Sequence, residues 1–218
     1  MNDFRNLKAI VFDYNGTLVD DVTIHAKSYW LAGMDLGFDL SMETVWQHVS
    51  QPPSRKRVLY YGDISDERWE AVFELKKKHY YEIAKGVSIV FSDTAPVLNA
   101  LGRKYKLAVL SNTFRFFFEK LFPHSLAELF DNTIFVDEVD NPKPAPDPLL
   151  TILDRLNIAA GECCYVGDAI EDIEMAKAAG ALAFSVTTGG CNREQLIEAG
   201  SDQVFNSLTE LAGQLTCI

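Results

Sequence analysis

Four short segments of this chain carry side chains able to do chemistry. Asp13 opens Asp13-Tyr-Asn-Gly-Thr17, Ser111 and Asn112 are adjacent, Lys143 stands between two prolines, and Asp168 and Asp172 lie four apart. One Asp after an apolar run means little, because such residues are usually turn formers or helix caps. Carboxylates, a hydroxyl and an ammonium supplied together by four segments are hard to attribute to turns. As a set they suit an anion held beside a hard cation. Carboxylate oxygens ligate such a cation, while hydroxyl and ammonium groups hold anionic oxygens. A carboxylate is also a competent nucleophile toward phosphorus once the phosphoryl charge is screened.

Something must bring these segments together, and the pattern around them supplies it. Lys8–Phe12, Leu107–Leu110, Thr133–Val136, Cys163–Val166 and Ala181–Val186 are short apolar runs, with a weaker one at Gln203–Phe205. They are continuous rather than alternating, which predicts parallel strands covered on both faces. Helices are predicted between them over Asp93–Leu101, Asp147–Leu156, Ile170–Ala179 and Arg193–Ala199. Several stop at glycine, and Ser207-x-x-Glu210 reads as a capping box. The expected fold is α/β, a doubly wound parallel sheet with right-handed crossovers. In such sheets ligands bind beyond the carboxyl ends of the strands. That is where the reactive segments fall.

Residues 18–84 break the alternation. They are aromatic and charged, lack a convincing strand, and predict helices over Val22–Leu36, Met42–Val49 and Ser65–Ala84. Pro52-Pro53 and Tyr61-Gly62-Asp63 punctuate them. The expected organisation is an α/β core of residues 1–17 and 85–218 with an inserted helical cap of residues 18–84. Arg55-Lys56-Arg57 is expected in an inter-helix loop, and Lys76-Lys77-Lys78 on a solvated helix face. Glu171 and Glu174 are expected to be solvated as well. Phe116-Phe117-Phe118 is expected to pack in the core or at a dimer interface.

Composition limits the function classes. The 218 residues are 48% hydrophobic and 23% charged, with a formal charge of −11, so the chain is globular and poorly suited to nucleic-acid phosphates. No apolar run reaches the roughly 20 residues of a membrane span. Met1-Asn-Asp-Phe-Arg5 lacks the long apolar stretch expected of a signal peptide. Cys163 and Cys164 read as small buried hydrophobes, and Cys191 and Cys217 stand alone, so neither zinc nor disulfides are expected. These features predict a cytoplasmic protein, monomeric or homodimeric, acting on small molecules without nucleic-acid or membrane partners.

The motifs in combination are specific. Val11-Phe-Asp-Tyr-Asn-Gly-Thr-Leu18 resembles the first motif of the haloacid dehalogenase-like hydrolase superfamily, and Leu107-Ala-Val-Leu-Ser-Asn112 is similar to its second. Lys143-Pro-Ala-Pro146 resembles the lysine motif, and Gly167-Asp-Ala-Ile-Glu-Asp172 the acidic one. The insert lies where the helical-cap branch, with its phosphoglycolate phosphatase-like enzymes, carries its cap. The resemblance implies a Mg²⁺-dependent hydrolase of a small phosphorylated metabolite, with Asp13 as nucleophile. Asp13, Asp168 and the backbone carbonyl of Asn15 would hold the metal. Asp172 would stand with them, orienting metal waters or Lys143. Ser111 and Lys143 would hold phosphoryl oxygens, with Gly16, Thr17 and Asn112 lining the substrate site. A cap loop of this kind faces the active site in similar proteins, so Arg55 or Arg57 would clamp a substrate carboxylate or second phosphate.

One departure matters. The phosphatases that this chain resembles carry aspartate two positions after the nucleophile, as proton donor and base, and here that residue is Asn15. An amide can hydrogen-bond to a leaving oxygen but cannot exchange a proton at neutral pH. Proton transfer of this kind is typically worth about 10²–10⁴ in rate. Asp20, Asp21 or His25 could substitute as acid; otherwise the protein is a phosphometabolite binder with little turnover, or a phosphotransferase. An engineered origin of Asn15 would equally explain it.

Overall fold

The computed structural model describes residues 4–216. Cys217 and Met1–Asp3 lie outside them. The chain divides into two compact units, Met1–Asp20 with Val90–Ile218, and Asp21–Ile89.

The first unit is built on a six-stranded parallel sheet. Its strands are β1 (Ala9–Phe12), β2 (Lys106–Ser111), β3 (Asn132–Phe135), β4 (Cys163–Gly167), β5 (Leu182–Val186) and β6 (Gln203–Phe205). They lie in the order β3-β2-β1-β4-β5-β6. The order reverses around β1, whose neighbours β2 and β4 pair with it in register, Phe12 opposite both Val109 and Val166. Strand direction and register therefore bring the ends of β1, β2 and β4 to one edge of the sheet, at its topological switch point. The central strands are largely apolar because both faces are covered. Every residue of β1 is buried, as are Leu107 to Ser111 and all of β4.

Helices at Thr94–Leu101, Asp147–Leu156, Ile170–Ala179, Arg193–Glu198 and Leu208–Thr216 alternate with the strands. Ser207 caps the last one, its Oγ accepting from Glu210 N at 3.2 Å. The reciprocal half of the expected capping box differs, since Glu210 Oε2 accepts from Asn206 N instead. A helix at Arg115–Leu121 and a turn of helix at His124–Ala127 were not visible as periodic patterns. Phe117 and Phe118 of the aromatic run are buried there, with Phe118 stacked 5.0 Å from Phe122.

The insert leaves and re-enters this unit at one place. Val19 bridges Val90 antiparallel, and Leu18 O accepts from both Phe91 N and Thr94 Oγ1.

The second unit is helical: Val22–Asp35, Met42–Gln47, Pro53–Tyr61 and Asp66–Ala84. The first and last form its main packed pair. Its core is aromatic, with Tyr29, Tyr60, Tyr61, Val45 and Val72 buried together. The phenols of Tyr60 and Tyr61 are satisfied by the carbonyls of Val45 and Tyr29. Two expectations fail here. Pro53–Tyr61 is a helix, so Arg55 and Arg57 stand on it and not in a loop; proline suits the first helical turn, where its missing N–H costs nothing. Lys76 is buried, not solvated, because it occupies the inward i+4 stripe of Val72, Lys76, Tyr80 and Ala84. In the first unit Glu171 is likewise buried, contrary to expectation. Among the described residues, no helix is long and apolar enough to cross a membrane.

Candidate functional site

The reactive segments meet at the carboxyl edge of β1, β2 and β4. Asp13 follows β1 directly and is fixed by its own amide, which donates to Val166 O at 2.8 Å. Ser111 ends β2, Asp168 follows β4, and Asp172 lies in the first turn of the helix Ile170–Ala179. Lys143 reaches in from the segment after β3. Asp13, Ser111, Lys143, Asp168 and Asp172 are all buried.

Lys143 is the hub. Its ammonium donates to Asp13 Oδ1 at 2.8 Å, to Asp172 Oδ1 at 2.7 Å and to the Tyr165 phenol at 3.0 Å. Burial works against its charge, but Asp13 and Asp172 outweigh that and hold it above its ordinary pKa. Asp172 spends its second oxygen on the amides of Asp168 and Ala169, at 3.1 Å each. Asp172 thus accepts three hydrogen bonds, two of them on one oxygen, and it backs both Lys143 and the Asp168 turn.

Asp168 is held from two sides. Thr17 Oγ1 donates to Oδ1 at 3.1 Å and Gly190 N to Oδ2 at 2.9 Å. Around it the backbone comes very close. A Cβ on Gly16, which has φ +77°, would lie 2.7 Å from Asp168 Oδ2, and one on Gly189 would lie 1.9 Å from it. Glycine is therefore required at both positions. Thr188 Oγ1 closes the arrangement by donating to Gly16 O at 2.6 Å.

The electrostatics of the cluster suit a bound cation. Oxygens of Asp13, Asp168 and Asp172 lie within 4.8 Å of one another. Burial, added to by Asp172 and opposed by Lys143, pushes Asp13 up to about 6. Burial together with Asp13 and Asp172 raises Asp168 well above the carboxylate range. Three clustered carboxylates against one ammonium, all oxygen donors, fit a hard divalent cation of the Mg²⁺ kind.

Other expected site residues have specific partners. Asn15 Oδ1 accepts from Ser111 Oγ at 3.3 Å, so the amide stands beside the hydroxyl. Asn112 and Thr17, expected at the substrate, have side chains bonded inside the protein. Asn112 makes a reciprocal pair with the backbone of Lys143, 3.1 Å in each direction, and so sets where that lysine starts. Thr17 supports Asp168. In the helical unit, Arg57 is paired with Asp66 at 2.7 Å and with the Ile64 carbonyl, while Arg55 donates to Gln51 at 3.2 Å. The residues considered as substitute acids also have settled environments. Asp21 is buried and accepts from Tyr80 OH at 2.6 Å. Burial and Lys76 hold His25 down at about 4, so it is neutral. Asp20 is exposed.

Sequence reasoning missed Tyr165 and the Thr188–Gly190 loop. Tyr165 sits inside an apolar strand and looks like core. The loop did carry a signal, since Thr187-Thr-Gly-Gly190 follows β5 at the same sheet edge as the other motifs.

Comparison with known proteins agrees with this geometry. Residues 7–180 match the family model of haloacid dehalogenase-like hydrolases. The chain is 30% identical to phosphoglycolate phosphatase of Escherichia coli (strain K12), over 97% of this chain and 93% of that protein. The corresponding enzyme of Salmonella typhi is also 30% identical, with the same coverage. Among solved structures, a hydrolase from Pseudomonas syringae superposes with a TM-score of 0.83 at 23% identity, covering 97% of this chain and 99% of that one. CbbY from Rhodobacter sphaeroides, in complex with phosphate, gives 0.79 at 23% identity, with 94% and 96% covered. The chain belongs to the haloacid dehalogenase-like hydrolase family and to its phosphatases.

Proposed function

We propose that this protein is a Mg²⁺-dependent phosphohydrolase of a small phosphorylated metabolite, phosphoglycolate or a similar ester, acting through a phosphoryl group on Asp13. The observation that carries the proposal is the buried cluster of Asp13, Lys143, Asp168 and Asp172 at the switch point of the sheet. Its residues divide the work. An Asp13 carboxylate oxygen attacks phosphorus, forming the new P–O bond as the ester P–O bond breaks. Lys143 and Ser111 hold the equatorial oxygens, where transition-state charge collects. Asp13, Asp168 and the backbone carbonyl of Asn15 would hold Mg²⁺, which when bound screens the phosphoryl charge from the attacking carboxylate. Water then cleaves the acyl phosphate and releases inorganic phosphate.

Asn15 shapes the kinetics of this scheme. It can orient a leaving oxygen or a water but cannot move a proton, so protons must come from solvent. Esters with good leaving groups are favoured, and the second step is slow. The helical unit Asp21–Ile89 is assigned the role of substrate-selecting cap, with Arg55 as its candidate contact to a substrate carboxylate.

The test is a phosphate-release screen over small phosphate esters, with Mg²⁺ and with a chelator. Release that needs Mg²⁺ and disappears in Asp13→Asn supports the reading. Silence across the panel in both this chain and Asn15→Asp would end it.

A further inference from the structure

Tyr165 has no place in the reaction as described, yet its phenol touches the central lysine. An ammonium has three N–H bonds, and Lys143 has three acceptors: two carboxylates and the Tyr165 oxygen. The phenol's own proton donates to Leu110 O at 2.7 Å. Its oxygen can therefore only accept from Lys143. Leu110 is the residue before Ser111 on β2, and Tyr165 lies on β4, two strands away across β1. The ring is almost wholly buried, packed with Val11, Leu110 and Ile173 on one face of the sheet. Sheet geometry, not a mobile side chain, thus sets where the phenol stands.

We propose that Tyr165 is a positioning residue that ties the Lys143 ammonium to the end of β2, fixing its distance from Ser111 and Asp13 for phosphoryl binding. Asp13 and Asp172 alone would leave the ammonium free to pivot about the line joining them; a third acceptor removes that freedom. A neutral acceptor also suits the role better than a third carboxylate would. Its bond is weaker than a charge-assisted one, so it orients the ammonium without drawing it away from the carboxylates, and the N–H on Asp13 Oδ1 is the one free to turn to a phosphoryl oxygen as that carboxylate is phosphorylated.

The test is Tyr165→Phe, which removes one oxygen and keeps the ring. ¹⁵N spectra of lysine-labelled protein, assigned with Lys143→Met, should show a slowly exchanging Lys143 ammonium that shifts and exchanges at least about tenfold faster in Tyr165→Phe. An unchanged signal, or a wild-type Lys143 that exchanges like a surface lysine, would overturn the proposal. In phosphate release, kcat should fall about 10–100-fold, the cost of a small misplacement of a positioned group, with KM within about threefold. Equal kcat in the two proteins would also overturn it. The kinetic arm rests on the hydrolase reading and the spectral arm does not, so a protein that releases no phosphate still decides the role of Tyr165.

Discussion

Lys143 Nζ lies 2.8 Å from Asp13 Oδ1, two buried and oppositely charged groups separated by 130 positions in the chain. Asp172 Oδ1 completes the pair to a triad at 2.7 Å. Such an arrangement is costly to build, since each ion loses water, and more costly to break on one side. Removing the lysine leaves two carboxylates buried without their counter-charge. Lys143→Met should therefore destabilise the protein by about 3–5 kcal/mol in urea unfolding, against less than about 1 for an exposed pair such as Arg57–Asp66. Equal, small losses for both pairs would show that the triad is not structurally important.

Asn15→Asp restores a group able to exchange protons beside Ser111. kcat/KM for alkyl phosphates, which reports the steps up to departure of the leaving group, should rise by about 10²–10⁴, with a smaller gain for aryl or acyl phosphates, whose leaving groups need no proton. Steady-state kinetics on one substrate of each kind measure the difference. Equal gains on both would show that Asn15 does not limit leaving-group departure.

The raised pKa of Asp13 has a stability consequence with a definite sign. Between the unfolded value of 3.8 and the folded value of about 6, the native protein holds a proton that the unfolded chain has lost. Stability of the Mg²⁺-free protein therefore falls as pH rises through that window, by about 3 kcal/mol from this group. Asp168, also raised, carries the loss to higher pH. Measured against Asp13→Asn to cancel other titrations, the wild type should lose relative stability from about pH 4 to pH 7. Added Mg²⁺ should restore more at the upper end, where the carboxylates are ionised. A difference that is flat with pH would remove the charge-crowding account.

Gly189 is the tightest neighbour of Asp168. A Cβ there would stand 1.9 Å from Oδ2, so Gly189→Ala must displace either the loop or the carboxylate. Mg²⁺ affinity by calorimetry should drop about 10–100-fold, as for other lost supports of a metal ligand. Unchanged affinity would mean that the loop yields freely and does not hold Asp168.

Much of this was legible in the sequence for a physical reason. Strands buried on both faces leave continuous apolar runs, so β1, β2, β4 and β5 were visible to within a residue or so. Their polar ends pointed to the sheet edge where Asp13, Ser111 and Asp168 now stand. Tyr165 was not legible, because a phenol whose oxygen works while its ring packs looks the same as any core aromatic. Lys76 was misread because its charge outweighed its position on the stripe from Val72 to Ala84, although that spacing was there to be read. Asn112 and Thr17 were expected to contact substrate. Which polar group supports another, and which is free to bind, depends on distances that only the fold supplies.

The most direct measurement is capture of the phosphorylated enzyme. Protein mixed with a phosphate ester and Mg²⁺, quenched in acid and mapped by peptide mass spectrometry, should carry an acid-stable, base-labile phosphoryl group on Asp13. The adduct should persist longer than in Asn15→Asp and be absent from Asp13→Asn. Phosphate release that continues in Asp13→Asn, or turnover by a protein whose phosphoryl group sits on another residue, would contradict the account.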